Sequence, residues 1–139
     1  MKGVAAIAVV LLACAGAPRA APPPATSPVE AAALAGAYHL EGVMETGSDL
    51  LLRADGRFEW AFSYGALDLL ARGRWQADGD GIVLQVEDMA YPPRMPETKF
   101  ARMHLRRDGT DLVPIWPWDM DAIRQGAERG AYVRNEVRE

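Results

Sequence analysis

The sequence predicts an all-β domain in the main: a small antiparallel β-barrel, or a strongly curved sheet, of about seven or eight strands with one short C-terminal helix. Three observations carry this. Period-two alternation of apolar and polar residues recurs in short runs through residues 29–139. Glycine-containing turn signals separate the runs at Arg53-Ala54-Asp55-Gly56, Ala77-Asp78-Gly79-Asp80-Gly81 and Arg107-Asp108-Gly109. Helical signals are confined to short pieces at the two ends of the domain.

The elements follow in order. Ala31–Leu34 is read as one helical turn. Tyr38–Gly42 and Asp49–Arg53 are short strands. Arg57–Tyr64 is the clearest strand, with Phe58, Trp60, Phe62 and Tyr64 on one face and Arg57, Glu59, Ala61 and Ser63 on the other. Leu69, Ala71, Gly73 and Trp75 then share a face opposite Leu70, Arg72, Arg74 and Gln76, the small pair leaving room for rings from the neighbouring strand. Ile82, Leu84 and Val86 make the next inner row, and Ala101, Met103 and Leu105 the one after. Glu87–Glu97, with Pro92, Pro93 and Pro96, is read as a long loop that either borders a site or is an ordinary surface loop. Leu112–Trp118 holds Pro114 and Pro117, which confine it to an edge or break it. Asp119 caps the expected helix, which runs to about Glu128, and Ala131-Tyr132-Val133 returns as a closing strand. Two of the turns share a frame, Leu52-Arg53-x-Asp55-Gly56 and Leu105-Arg106-x-Asp108-Gly109, and are expected to use the same turn chemistry.

Ahead of the domain, Lys2 and the apolar run Val4–Ala13 have the layout of a secretory signal. The run is shorter than the roughly 20 residues a membrane-spanning helix needs. Leu11-Leu12-Ala13-Cys14 looks like a bacterial lipobox, giving a signal of residues 1–13 and lipidation at Cys14; ordinary cleavage near residues 15–21 is the alternative. Cys14 is the only cysteine, so no internal disulfide can form, and its place at the end of the apolar run gives it a use. Residues 14–28 are rich in alanine and proline and suit a semi-rigid tether. The expected location is the bacterial periplasm, anchored to a membrane by lipid, or else soluble there or secreted.

Gly36-x-Tyr38, Tyr64-Gly65-Ala66-x-Asp68 and Gly73-x-Trp75 resemble the pattern of a group of exported bacterial proteins with a lipocalin-like, calycin-type small β-barrel domain. The resemblance covers about Leu34 to Val86. It implies a barrel and no defined activity. Gly73-x-Trp75 lies mid-chain, whereas a lipocalin carries its Gly-x-Trp on the first strand.

The chemistry-bearing residues are sparse. With 15 basic and 19 acidic residues the chain is acidic, which argues against nucleic acid as a partner. His39 and His104 stand far apart with no metal spacing, and Met89, Met95, Met103 and His104 form no recognisable copper pattern, so no metal and no cofactor are expected. Ser27, Ser48 and Ser63 sit in no nucleophile elbow. Asp68 has no nominated acid–base partner and is read as a turn-fixing residue. No catalytic constellation emerges, and the chain is expected not to be an enzyme.

Two binding features stand out instead. Phe58, Trp60, Phe62, Tyr64 and Trp75 would line a cavity for a small apolar ligand, or simply fill the core. Trp116 and Trp118 would offer a partner surface, or pack a C-terminal helix on the barrel. The best reading is therefore a non-enzymatic envelope protein that binds a small apolar ligand inside its barrel. The alternative is an envelope structural or interaction protein with a filled core and a protein partner.

Overall fold

The structure, a computed structural model, describes residue 16, residues 26–118 and residues 130–136. The expected signal, Cys14, most of the tether and the expected helix from Asp119 to Glu128 lie outside the described residues.

Helix α1 (Pro28–Leu34) leads into eight strands: β1 (Gly36–Glu41), β2 (Thr46–Leu52), β3 (Arg57–Tyr64), β4 (Leu67–Asp78), β5 (Gly81–Ala90), β6 (Arg102–Asp108), β7 (Asp111–Ile115) and β8 (Ala131–Arg134). Each strand pairs antiparallel with the next, and β8 returns to β1, so the sheet closes into an up-and-down barrel. Closure removes the exposed backbone edges that an open sheet of this size would carry. The described helix is therefore the N-terminal one. Ser27 caps it, its Oγ accepting from the Glu30 N–H at 3.2 Å, and a proline starts its first turn.

One end of the barrel is closed by α1. Ala31 and Leu34 are buried, and the Tyr38 hydroxyl donates to the Leu34 carbonyl at 2.7 Å. Thr26 Oγ1 fastens the helix entry by accepting from the Ala77 N–H at 2.8 Å. Trp75 seals the same end, its Nε1–H donating to the Arg53 carbonyl at 2.8 Å. The other end carries the segment after β5, a 3₁₀ turn (Pro96–Thr98), and Trp116 to Trp118. The wall between is lined by fully buried Trp60, Tyr38, Tyr132, Phe58 and seven aliphatic residues plus Met103, among them Leu50, Leu69, Leu84 and Leu105.

Two sequence expectations are corrected. The expected loop Glu87–Glu97 is shorter, because β5 runs on to Ala90. A bulge between Arg72 and Gly73 leaves Glu87 as the extra residue: Gly73 pairs with Val86 and Arg72 with Asp88. The insertion shifts the alternation by one, so the inward row passes from Val86 to Met89 and the simple period-two pattern is lost. The two Asp-Gly frames fold differently. Arg53 and Arg57 bracket three residues, with Gly56 last at φ 85°, whereas Asp108 pairs with Asp111 around two, with Gly109 first at φ 61°. The Asp55 side chain accepts from the Arg57 N–H at 3.0 Å and selects the longer turn. Leu112–Trp118 breaks as a strand after Ile115, ahead of Pro117, one of the two outcomes its prolines allow. Pro114 is accommodated where pairing is thin: β7 matches β6 over five residue pairs, but meets β8 at Leu112 and Tyr132.

Candidate functional site

The five aromatic residues expected to line a cavity separate along the barrel. Phe58 and Trp75 are buried at the α1 end, where Phe58 lies across from Gly73. Trp60 sits in the middle. Phe62 is half-buried at the far end. Tyr64 is corrected: it is 49 % exposed, because it stands beside the two-residue Gly65-Ala66 turn, where the strand has run past the closed part of the lumen.

Phe100, Trp116 and Trp118 join Trp60 and Phe62 to fill the far end. Trp60 stacks on Phe62 with ring centroids 5.6 Å apart, and Phe100 meets Trp60 edge-on at 5.2 Å. Trp118 lies 5.3 Å from Phe62 and 5.7 Å from Phe100, and stacks with Trp116 at 5.8 Å. The Trp118 indole N–H donates to the Thr98 carbonyl at 2.8 Å, tying the Trp116–Trp118 segment to the 3₁₀ turn. Both tryptophans are thus half-buried and turned into the barrel mouth.

A polar chain crosses the lumen beneath them. The Trp60 Nε1–H donates to the Tyr132 oxygen at 2.8 Å, Tyr132 lies 2.7 Å from Ser48 Oγ, and Ser48 Oγ donates to the Ala61 carbonyl at 2.6 Å. Each hydroxyl has one proton, and the serine's is committed to the carbonyl, so the tyrosine's goes to the serine. Burial pushes the Tyr132 phenol up to about 12, against the smaller opposing effect of its hydrogen bonds to Ser48 and Trp60. The phenol is a neutral strut. Its hydrogen-bond partners among the described residues are Trp60 and Ser48, neither of them a base.

The other candidates are scattered. Asp68 accepts from the Ser63 hydroxyl at 2.7 Å across the β3–β4 hairpin, where the two residues pair. Met103 and His104 are consecutive on β6, so the methionine is buried and the histidine is exposed. His39, weighed in the sequence only as a metal ligand, has instead two polar partners. Its Nε2 faces Glu41 Oε1 at 2.7 Å and its Nδ1 faces Asn135 Oδ1, so its protonated form donates to both. The Glu41 hydrogen bond first, then that of Asn135, raises its pKa above the ordinary histidine value. Among the described residues, no group of three His, Cys, Asp or Glu side chains could hold a metal ion.

A groove of about 660 Å³ lies on the outer wall over β1–β5. Ala37, Leu51, Ala61, Leu70 and Ala90 form its floor, and Asp49, Glu59, Asp88 and Arg72 its charged rim. Strand register explains it. Ala61, Leu70 and Ala90 pair in one row across β3, β4 and β5, and small side chains on either side of Leu70 leave a hollow. Leu70 itself is 60 % exposed. On the rim Arg72 Nη2 reaches Asp88 at 2.9 Å and Arg53 reaches Glu59 at 3.5 Å, while Asp49 has no ion-pair partner among the described residues. The sequence signal for this surface was present, in the apolar outward residues Leu51, Ala61 and Leu70. Without the closed topology nothing marked them as neighbours.

Compared with protein-family models, with curated proteins and with solved structures, the chain has no significant match.

Proposed function

We propose that this chain is a non-enzymatic envelope protein, exported and held at a membrane through acylated Cys14, that acts as a structural or interaction module through the outside of a filled barrel. One observation carries the reading. The Trp60–Tyr132–Ser48 chain spans the lumen where a carried ligand would sit, and Phe62, Phe100, Trp116 and Trp118 pack into its mouth. A lipocalin-like ligand would have to part those rings and leave the indole N–H and the hydroxyls unpaired, at a cost of about 1–3 kcal/mol for each group. The outer groove asks for no such rearrangement. Its apolar floor and charged rim, where Asp49 has no ion-pair partner among the described residues, suit a protein surface that brings apolar and basic side chains together.

Native mass spectrometry of the protein purified from its own envelope tests this, with a photo-reactive amino acid at position 70 for cross-linking. The expected result is a mass free of small molecules and a cross-linked protein partner. A stoichiometric lipid or metabolite retained by the barrel would overturn it.

A further inference from the structure

Six arginines on the wall of this barrel divide into two sets. Arg53, Arg57, Arg72 and Arg74, on or beside β2 to β4, each face a carboxylate of Glu59, Glu87 or Asp88. Arg102 and Arg106, on β6, are exposed and meet no carboxylate within ion-pair distance among the described residues. His104 stands between them, 3.6 Å from Asp78. Side chains two apart on a strand share a face, so all three point outward in one column.

The neighbouring column is apolar over Val113 and Ile115, with Asp111 at its α1 end, paired with Asp108 of β6. Register places Ile115 of β7 beside His104 and Val113 beside Arg106. Ile115 is 63 % exposed. Away from Asp108 and Asp111, the β6–β7 wall therefore offers basic and apolar side chains together. The groove on β1–β5 has an apolar floor and, in Asp49, a carboxylate with no ion-pair partner among the described residues. In a ring of eight strands β3 and β7 are four apart, so the two faces look out on opposite sides of the barrel.

We propose that the groove receives the β6–β7 face of a second copy of this chain. The inference rests on the reading of the groove as a protein-docking surface and names its occupant. Ile115 of one copy meets the Leu70 hollow of the next, with Arg102 and Arg106 against Asp49 and Glu59. Such a contact is heterologous: each copy uses one face and leaves the other free, so assembly passes beyond two copies into a ring or an open row. For a protein tethered by its N-terminus, rows of this kind would lie along the membrane.

Sedimentation velocity on the purified mature protein tests this, with Leu70→Glu and the pair Arg102→Glu/Arg106→Glu as variants. All three positions are exposed, and circular dichroism checks that each variant keeps its fold. The wild type is expected to form species larger than dimers, with association about tenfold weaker when salt is raised well beyond the physiological range. Each variant alone should be monomeric, while an equimolar mixture should form dimers and stop there, because one good groove and one good basic face remain. A wild type that stays monomeric at low salt overturns the inference, and so does association that survives either variant. A monomer that still cross-links an envelope protein through position 70 overturns the second copy as occupant and leaves the docking groove standing. A small molecule held in the lumen overturns the groove reading itself.

Discussion

The Trp60 indole N–H on β3 donates to the Tyr132 hydroxyl oxygen on β8 at 2.8 Å, joining strands that are not neighbours in the sheet. The bond crosses the lumen, and Ser48 and the Ala61 carbonyl complete it. No buried side-chain nitrogen or oxygen among the described residues lacks a partner. Tyr132→Phe leaves the indole N–H and one serine lone pair unmet in an apolar setting. It should cost about 1–3 kcal/mol, read from urea unfolding. In the double variant with Trp60→Phe, the total should fall short of the sum of the single effects, since both remove the same bond.

The same phenol sets an alkaline limit. Tyr132 titrates at about 12 in the folded barrel and near 10 in the unfolded chain. Between those values the unfolded state has released a proton that the native state keeps, so stability falls as pH rises. It should be full below pH 10 and decline through the window up to about 12. Tyr38, also raised by burial, adds to the decline. Tyr132→Phe should flatten part of that loss relative to its own value at pH 8, measured by denaturation at a series of pH values.

Gly73 sits at the bulge, where a Cβ would stand 2.0 Å from the Gln85 carbonyl oxygen and 2.8 Å from the Glu87 nitrogen. Both are backbone atoms and cannot swing aside. Gly73→Ala should destabilise by about 3 kcal/mol or more, at the upper end of overpacking effects, and should move the amide resonances of Gln85 to Asp88. Unchanged resonances there would show that the close approach is not what fixes glycine at this position.

His39 makes the seam between β1 and the residues after β8 sensitive to pH. Its raised pKa means that the contribution of the Glu41 and Asn135 contacts is full below about pH 6.5 and is lost as pH rises through the folded value. Asp49, its register partner on β2, acts in the same direction. Proton NMR should find His39 titrating above the ordinary histidine value. Glu41→Gln should lower that midpoint, and Asn135→Ala should lower it less.

Cys14→Ser tests the address. The variant should leave the membrane fraction, and its N-terminal peptide should lack the mass of acyl chains, which stable anchoring requires as two signals or more. Retention with an unchanged N-terminal mass would refute lipidation at this position.

The class of fold was legible in the sequence because strands and tight turns are local events. Alternation over Arg57–Tyr64 placed β3 at its observed bounds, and the small residues Ala71 and Gly73 face the rings of Trp60 and Phe58 as their spacing suggested. What tertiary structure alone decided is which face becomes the inside and how far it extends. Period two says that Trp60 and Tyr64 share a face, but only closure through β1 and β8 buries the first, and the second lies past the end of the lumen. One bulge reversed the parity of β5, which runs on through the first four residues of the apparent loop, an event set by contact with β4 rather than by β5 itself. The partnership of Trp60 with Tyr132, and the outer groove under Leu70, join residues distant in the chain. The sequence determined a barrel with aromatic residues to fill it; the tertiary structure decided that the aromatics close the interior and that the hollow lies outside, because burial is a property of neighbours that no local pattern records.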